Sequence, residues 1–103
     1  QKAAADGGFD FYLNQHKKPL YVPADKPFIK ALAQAYEETV GEQAELLSMG
    51  GGTYCRFVEN TVSYGPVFPW HTFTAHQDNE FIKLEDLRLA TKVYAQALYL
   101  LAQ

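Results

Sequence analysis

The sequence predicts an α/β fold in which short parallel strands, linked through a glycine turn, lie against two long flanking helices. Three observations carry that expectation. Apolar residues recur at helical spacing over Phe28–Val40 and again over Leu87–Leu101. Two short apolar runs, Ala44–Met49 and Val62–Val67, have the length of buried strands. Between them stand Gly50-Gly51-Gly52-Thr53, and the order strand, glycine turn, helix, strand is that of a small parallel crossover.

Composition bounds what such a chain can be. Of 103 residues, 48% are hydrophobic and 20% charged, with seven Phe and seven Tyr, so the chain is expected to pack as one domain or a piece of one. A formal net charge of -3 with nine scattered Lys and Arg offers no footprint for a phosphate backbone, and nucleic acid is not an expected partner. The single cysteine, Cys55, rules out an internal disulfide and suits a reducing, cytoplasmic compartment. The longest strongly apolar run, Ala97–Ala102, falls far short of the roughly 20 residues needed to cross a bilayer, so no membrane partner is expected. The sequence opens Gln1-Lys2-Ala3, with Met49 its only methionine, which reads as a segment of a longer protein.

Each element has its own signal. Phe9, Phe11 and Leu13 alternate with polar neighbours, as in a short half-covered strand, and Gln15-His16-Lys17-Lys18-Pro19 reads as a linker. Asp25 followed by Pro27 starts a helix near Lys26. Its buried face is expected to be Phe28, Ile29, Leu32, Ala33, Tyr36 and Val40, with Gly41 as the C-terminal cap. After the strand at Ala44–Met49 and the glycines, Thr53 caps a short helix over Tyr54–Glu59, and Asn60-Thr61 turns the chain into the strand Val62–Val67. Pro66 and Pro69 then open a loop, Trp70–Glu80. The last helix, Glu85–Ala102, presents Leu87, Ala90, Tyr94, Ala97, Leu98 and Leu101 on one stripe.

Four places could carry chemistry. The N–H groups of Gly51, Gly52 and Thr53 could hold a carboxylate or phosphate, although a turn needing positive φ would use the same glycines. His76 follows the end of a presumed strand, where α/β folds place sites, and could ligate zinc or move a proton. On spacing alone a lone loop histidine is more often solvated, and the same applies to His71 and His16. Arg56 would oppose the dipole of its short helix unless an anion lay near, with an ordinary surface arginine as the alternative. Asp78, Asn79 and Glu80 could orient a metal-bound histidine or cap the following helix. Cys55, Tyr94 and Tyr99 read as packing residues.

Taken together, Gly50-Gly51-Gly52-Thr53-Tyr54-Cys55-Arg56, Tyr64-Gly65-Pro66-Val67-Phe68-Pro69 and His76-Gln77-Asp78-Asn79-Glu80 resemble the C-terminal part of the PepV-type dizinc dipeptidases. The wider group includes carboxypeptidase G, acetylornithine deacetylase and succinyl-diaminopimelate desuccinylase. Leu20-Tyr21-Val22-Pro23 and Val93-Tyr94-Ala95-Gln96-Ala97 extend the likeness from about Pro19 to the end of the sequence. The resemblance implies a zinc-exopeptidase-like fold, with residues 1–18 ending a lid domain and residues 19–103 completing the catalytic domain. It implies two zinc ions in the intact enzyme, with His76 as the last ligand, Gly51, Gly52 and Thr53 as the substrate-side turn, Arg56 in support and Glu80 behind the histidine. Cys55, Trp70 and Asp78 depart from the family's usual residues and bear on substrate preference. No His-x-Asp segment and no Glu-Glu pair for base and ligand can be assigned.

The function so implied is that of a segment of a zinc-dependent dipeptidase, with a dipeptide as substrate and the rest of the parent chain as partner. The alternatives are an N-acyl amino acid deacylase of the same family, a non-catalytic interaction domain on the same scaffold, and a small anion-binding module. The isolated chain is expected to be inactive, to hold no zinc tightly and to self-associate through surface that its missing half would cover.

Overall fold

The computed structural model describes residues 6–10, 12, 18–65 and 67–103. Among them the order of elements is helix α1 (Pro27–Val40), a single 3-10 turn (Tyr54–Phe57) and helix α2 (Leu84–Leu101). No strand forms among the described residues.

That overturns the α/β expectation: the described chain is helical. A strand persists only where a neighbouring strand takes up its backbone N–H and C=O groups. The runs Ala44–Met49 and Val62–Val67 have no such neighbour among the described residues. The short 3-10 turn between them cannot cover two strands as a crossover helix would. Leu46, Leu47 and Met49 are accordingly 67%, 86% and 72% exposed. Of the strand expected over Phe9–Leu13, the described Phe9, Asp10 and Tyr12 form none, and the rest of that run, with most of the linker to Lys18, lies outside the described residues.

Helix α1 starts where proline allows it. Pro27 occupies the first helical position, where its missing N–H costs nothing. The N-cap is Lys26 and not Asp25, with no side-chain cap bond; Lys26 Nζ donates instead to Asn60 Oδ1 at 3.2 Å. At the other end Gly41 takes φ 83° and returns its N–H to the Glu37 carbonyl at 3.0 Å, a left-handed cap that glycine adopts without strain. Ile29 and Ala35 are buried, with Leu32, Tyr36 and Val40 half-buried around them.

Helix α2 buries a stripe rotated from the expected one. Asp86, Ala90, Val93 and Ala97 are buried, whereas Leu87, Leu98 and Leu101 face solvent. Spacing of four, three and four keeps those four positions on one side. The alanines let the two helices approach, and the core between them consists of Phe68, Ala90 and Val93, flanked by Tyr36, Val40, Tyr64 and Leu89.

The irregular segment after the 3-10 turn is bolted to both helices. Tyr64 donates its hydroxyl to the Leu32 carbonyl of α1 at 2.8 Å, and Tyr94 of α2 donates to the Tyr64 carbonyl at 3.0 Å. Gln96 Nε2 bridges α2 to Glu38 Oε2 of α1 at 2.8 Å. The frame is thin all the same. Its radius of gyration is 18.4 Å, against about 13 Å for a compact domain of about 100 residues. Its accessible surface is 8809 Å², against about 5,800 Å² for a compact monomer of this mass.

Candidate functional site

The loop that follows Phe68 is closed at its neck by its own backbone and side chains. His71 N–H donates to the Phe68 carbonyl at 3.0 Å and Gln77 N–H to the Thr74 carbonyl at 3.1 Å. Phe81 N–H donates to Thr74 Oγ1 at 3.3 Å, while the Phe81 carbonyl accepts from Thr74 Oγ1 at 3.4 Å and from His71 Nε2 at 3.1 Å. Residues 75–80 therefore project from a pinned base.

His76 stands on that projection with φ 60°, and Asn79 follows with φ 59°. A left-handed backbone disfavours any residue with a Cβ, so the loop holds His76 in a conformation it would not choose alone. Its side chain is exposed and has no hydrogen-bond or ion-pair partner among the described residues. Both ring nitrogens are thus available to a ligand. Glu80 is exposed at the end of the same projection, with no bond to His76. Asp78 and Asn79 do not cap α2, whose N-cap is Lys83.

The glycine turn forms a second group. None of Gly50, Gly51 and Gly52 has the positive φ that would make glycine obligatory for a tight turn. Gly50 and Gly51 face open space, and a methyl group at Gly52 would lie 3.1 Å from Arg56 Nη1. At Gly52, then, glycine allows the guanidinium to fold over the turn. Arg56 pairs with no carboxylate among the described residues. Its dipole argument lapses, because the helix is one turn long and Arg56 belongs equally to its end. Thr53 caps that turn as expected, accepting the Cys55 N–H at 3.3 Å.

Cys55 is not a simple packing residue. Its Sγ lies 2.7 Å from Thr53 Oγ1 and 3.4 Å from Ser63 Oγ. Hydrogen bonds from the Ser63 and Thr53 hydroxyls stabilise a thiolate and hold its pKa below the ordinary thiol value. The structure thus gathers Gly52, Thr53 and Arg56 in one place and His76 and Glu80 in another. No hydrogen bond or ion pair joins the two groups among the described residues.

No group of three or more His, Cys, Asp or Glu residues that could hold a metal ion occurs among the described residues. His76 fits a metal site as one donor of a larger set: an exposed imidazole without a competing partner, on a braced loop.

Comparison with known proteins places the chain in a family. The family model described as "Peptidase family M20/M25/M40" matches residues 8–100. The chain belongs to this peptidase family. Within it, the chain is 45% identical over 96 residues to a Bacillus subtilis (strain 168) protein named "Putative dipeptidase YtjP", a match covering 91% of this chain and 21% of that protein. A Staphylococcus saprophyticus protein named "Putative dipeptidase SSP1012" is 38% identical over 92 residues, covering 89% of this chain and 20% of its own length. A "Putative dipeptidase" of Staphylococcus epidermidis is 38% identical over 94 residues, with 91% and 20% covered. The M20/M25/M40 chain described here thus spans about a fifth of the length of these relatives. No solved structure matches it. Among the described residues no helix is long and apolar enough to cross a membrane.

One buried cluster was not foreseen. His71, expected to be solvated, has a side chain only 5% exposed, and its Nδ1 lies 3.7 Å from Oδ2 of Asp86, whose side chain is 8% exposed. Trp70 Nε1 donates to the other Asp86 oxygen at 2.9 Å, and its ring stacks on Phe68 at 4.7 Å and 2°. The available signal was Asp86 itself, which occupies the apolar register of Ala90, Val93 and Ala97 and so required a buried polar partner.

Proposed function

We propose that this chain completes the catalytic domain of a zinc-dependent dipeptidase, with His76 as the metal ligand it contributes. The observation that carries the reading is His76 itself: an unpartnered, exposed imidazole held with positive φ on a loop pinned at Phe81, in a member of the M20/M25/M40 family. A conformation that costs free energy and serves no packing purpose persists where its surroundings impose it, and such sites concentrate at function. Two zinc ions in the intact enzyme are the proposed cofactor, and when bound they supply Lewis acidity to the scissile carbonyl.

This chain's own residues would do three things. The His76 imidazole would donate one nitrogen to a zinc ion, and Glu80, four residues on in the same loop, would support it from behind. The N–H groups of Gly51, Gly52 and Thr53, unobstructed by Cβ atoms at the glycines, would face the substrate. Arg56, poised over Gly52 without an acidic partner, would favour an anionic substrate group there. The base and the remaining ligands would come from the rest of the parent, so the isolated segment should not hydrolyse peptides. The single cysteine keeps the cytoplasm as the proposed compartment.

The test is zinc content and dipeptide hydrolysis of the full-length parent beside His76→Ala. The parent should bind about two zinc ions, and the variant should lose one of them with most of the activity. A parent that binds no metal, or a variant indistinguishable from it, would leave only a scaffold and favour a non-catalytic interaction domain. N-acyl amino acids assayed in parallel separate peptidase from deacylase.

A further inference from the structure

His71 Nδ1 and Asp86 Oδ2 are the two buried side-chain polar atoms without a hydrogen-bond partner among the described residues. They face each other at 3.7 Å, and each residue is held by a second polar contact. A carbonyl can only accept, so the contact of His71 Nε2 with the Phe81 carbonyl at 3.1 Å places a proton on Nε2. The Phe81 ring meets the imidazole edge-on at 5.2 Å. Asp86 is held from the other side by Trp70 Nε1 and by its place in the first turn of α2.

A neutral ring with its proton on Nε2 would turn a lone pair toward a carboxylate, leaving two acceptors opposed in a site from which water is excluded. One proton taken from solvent onto Nδ1 pairs the two groups as ions across 3.7 Å, and a small closure of that gap makes the contact a charge-assisted hydrogen bond. The connection then runs without a break from the core through Phe68, Trp70, Asp86 and His71 to Phe81. Those residues span both ends of the loop that carries His76.

We propose that His71, Asp86 and Trp70 form a latch around the buried His71–Asp86 contact, closed by a proton held between His71 Nδ1 and Asp86 Oδ2, that clamps the neck of the His76 loop onto the first turn of α2. His71 and Asp86 are positioning residues: neither reaches a substrate, and their effect passes through the loop. The latch stands on its own geometry. Its consequence for metal binding rests on the reading of His76 as a ligand.

The experiment is hydrogen–deuterium exchange of the full-length parent, followed on peptides from residues 72–82, for His71→Phe, Asp86→Leu, the double variant and Asp86→Asn. Each of the first two should speed exchange there about tenfold with residues 27–40 unchanged, and the double variant should add nothing further. Asp86→Asn should restore protection, because its amide N–H can donate to a neutral Nδ1 while its oxygen still accepts from Trp70. Nitrogen NMR of the His71 ring should show protons on both nitrogens in the wild type and on Nε2 alone in Asp86→Asn.

Unchanged exchange in either single variant, multiplicative effects in the double, or no rescue by asparagine overturns the latch. A singly protonated wild-type ring overturns the held proton. Zinc titration separates this inference from the functional one: His71→Phe should weaken one zinc site about tenfold. A wild type that binds no zinc refutes the ligand reading and leaves the exchange result to decide the latch.

Discussion

Gly65→Ala offers the sharpest test of how the two helices are joined. Gly65 has φ 66°, and a methyl group there would lie 2.7 Å from Tyr94 Oη and 3.4 Å from Cζ. The left-handed backbone alone costs an alanine about 1–2 kcal/mol. The phenol must also move, which breaks its 3.0 Å bond to the Tyr64 carbonyl and removes about 1 kcal/mol more. Together these give about 2–3 kcal/mol. Tyr94→Phe alone should cost about 1 kcal/mol, since it removes the bond and leaves the ring. In Gly65→Ala/Tyr94→Phe the oxygen that the methyl would strike is absent, so the double should fall about 1 kcal/mol short of the sum. Trp70, the single tryptophan, reports from beside the core. Urea titration of its fluorescence at fixed protein concentration should move the midpoint by about 2 M for Gly65→Ala, given a slope near 1 kcal/mol/M. A shift below about 0.5 M, or strict additivity in the double, would refute the argument.

Three further outcomes follow from the same structure. Burial raises the pKa of Tyr64 above its ordinary value, and Tyr36 and Tyr94 shift the same way for the same first cause. The folded state therefore keeps these protons to higher pH than the unfolded one. That stability is complete below about pH 10 and is lost as pH rises through the folded values, so urea midpoints should fall above about pH 10 and fall less steeply in Tyr64→Phe. Because hydroxyl contacts from Ser63 and Thr53 lower the Cys55 pKa, alkylation by iodoacetamide should reach half-maximal rate at lower pH than for a free thiol; Ser63→Ala should move that midpoint up, and an unmoved midpoint would count against the Ser63 contact. Finally, exposed Leu46, Leu47 and Met49, with about 3,000 Å² of surface beyond that of a compact monomer, should drive the isolated chain to self-associate. A strictly monomeric species in ultracentrifugation at about 10 μM would refute this.

The local signals were sound where the chain supplies its own partners. Pro27 starting α1, Gly41 ending it and Thr53 capping the short turn could be read from the sequence because each acts within a few residues of itself. The motifs running from the glycine turn to His76 also sufficed to place the chain in its family. Periodicity located both long helices to within a residue or so of their ends.

What failed depended on distant atoms. Ala44–Met49 and Val62–Val67 have strand-like composition, but a strand is a relation between two segments, and the described chain contains no second segment in place to pair with either. The stripe of α2 was read in part: Ala90 and Ala97 are buried as expected, but Leu87, Leu98 and Leu101 face solvent, and Asp86, bonded to Trp70, and Val93, packed on Phe68, are buried in their stead. His71 illustrates the division most clearly. Its sequence surroundings are those of a solvated loop histidine, and only the tertiary structure brings Asp86 to within 3.7 Å of it and leaves its side chain 5% exposed. By itself the sequence determined the helices, their caps and the family, all written in residue type and short spacing. Which faces are buried, how His76 comes to be held with positive φ, and which histidine is braced and which is free were decided by tertiary structure, because burial and hydrogen-bond closure join residues that the sequence keeps apart.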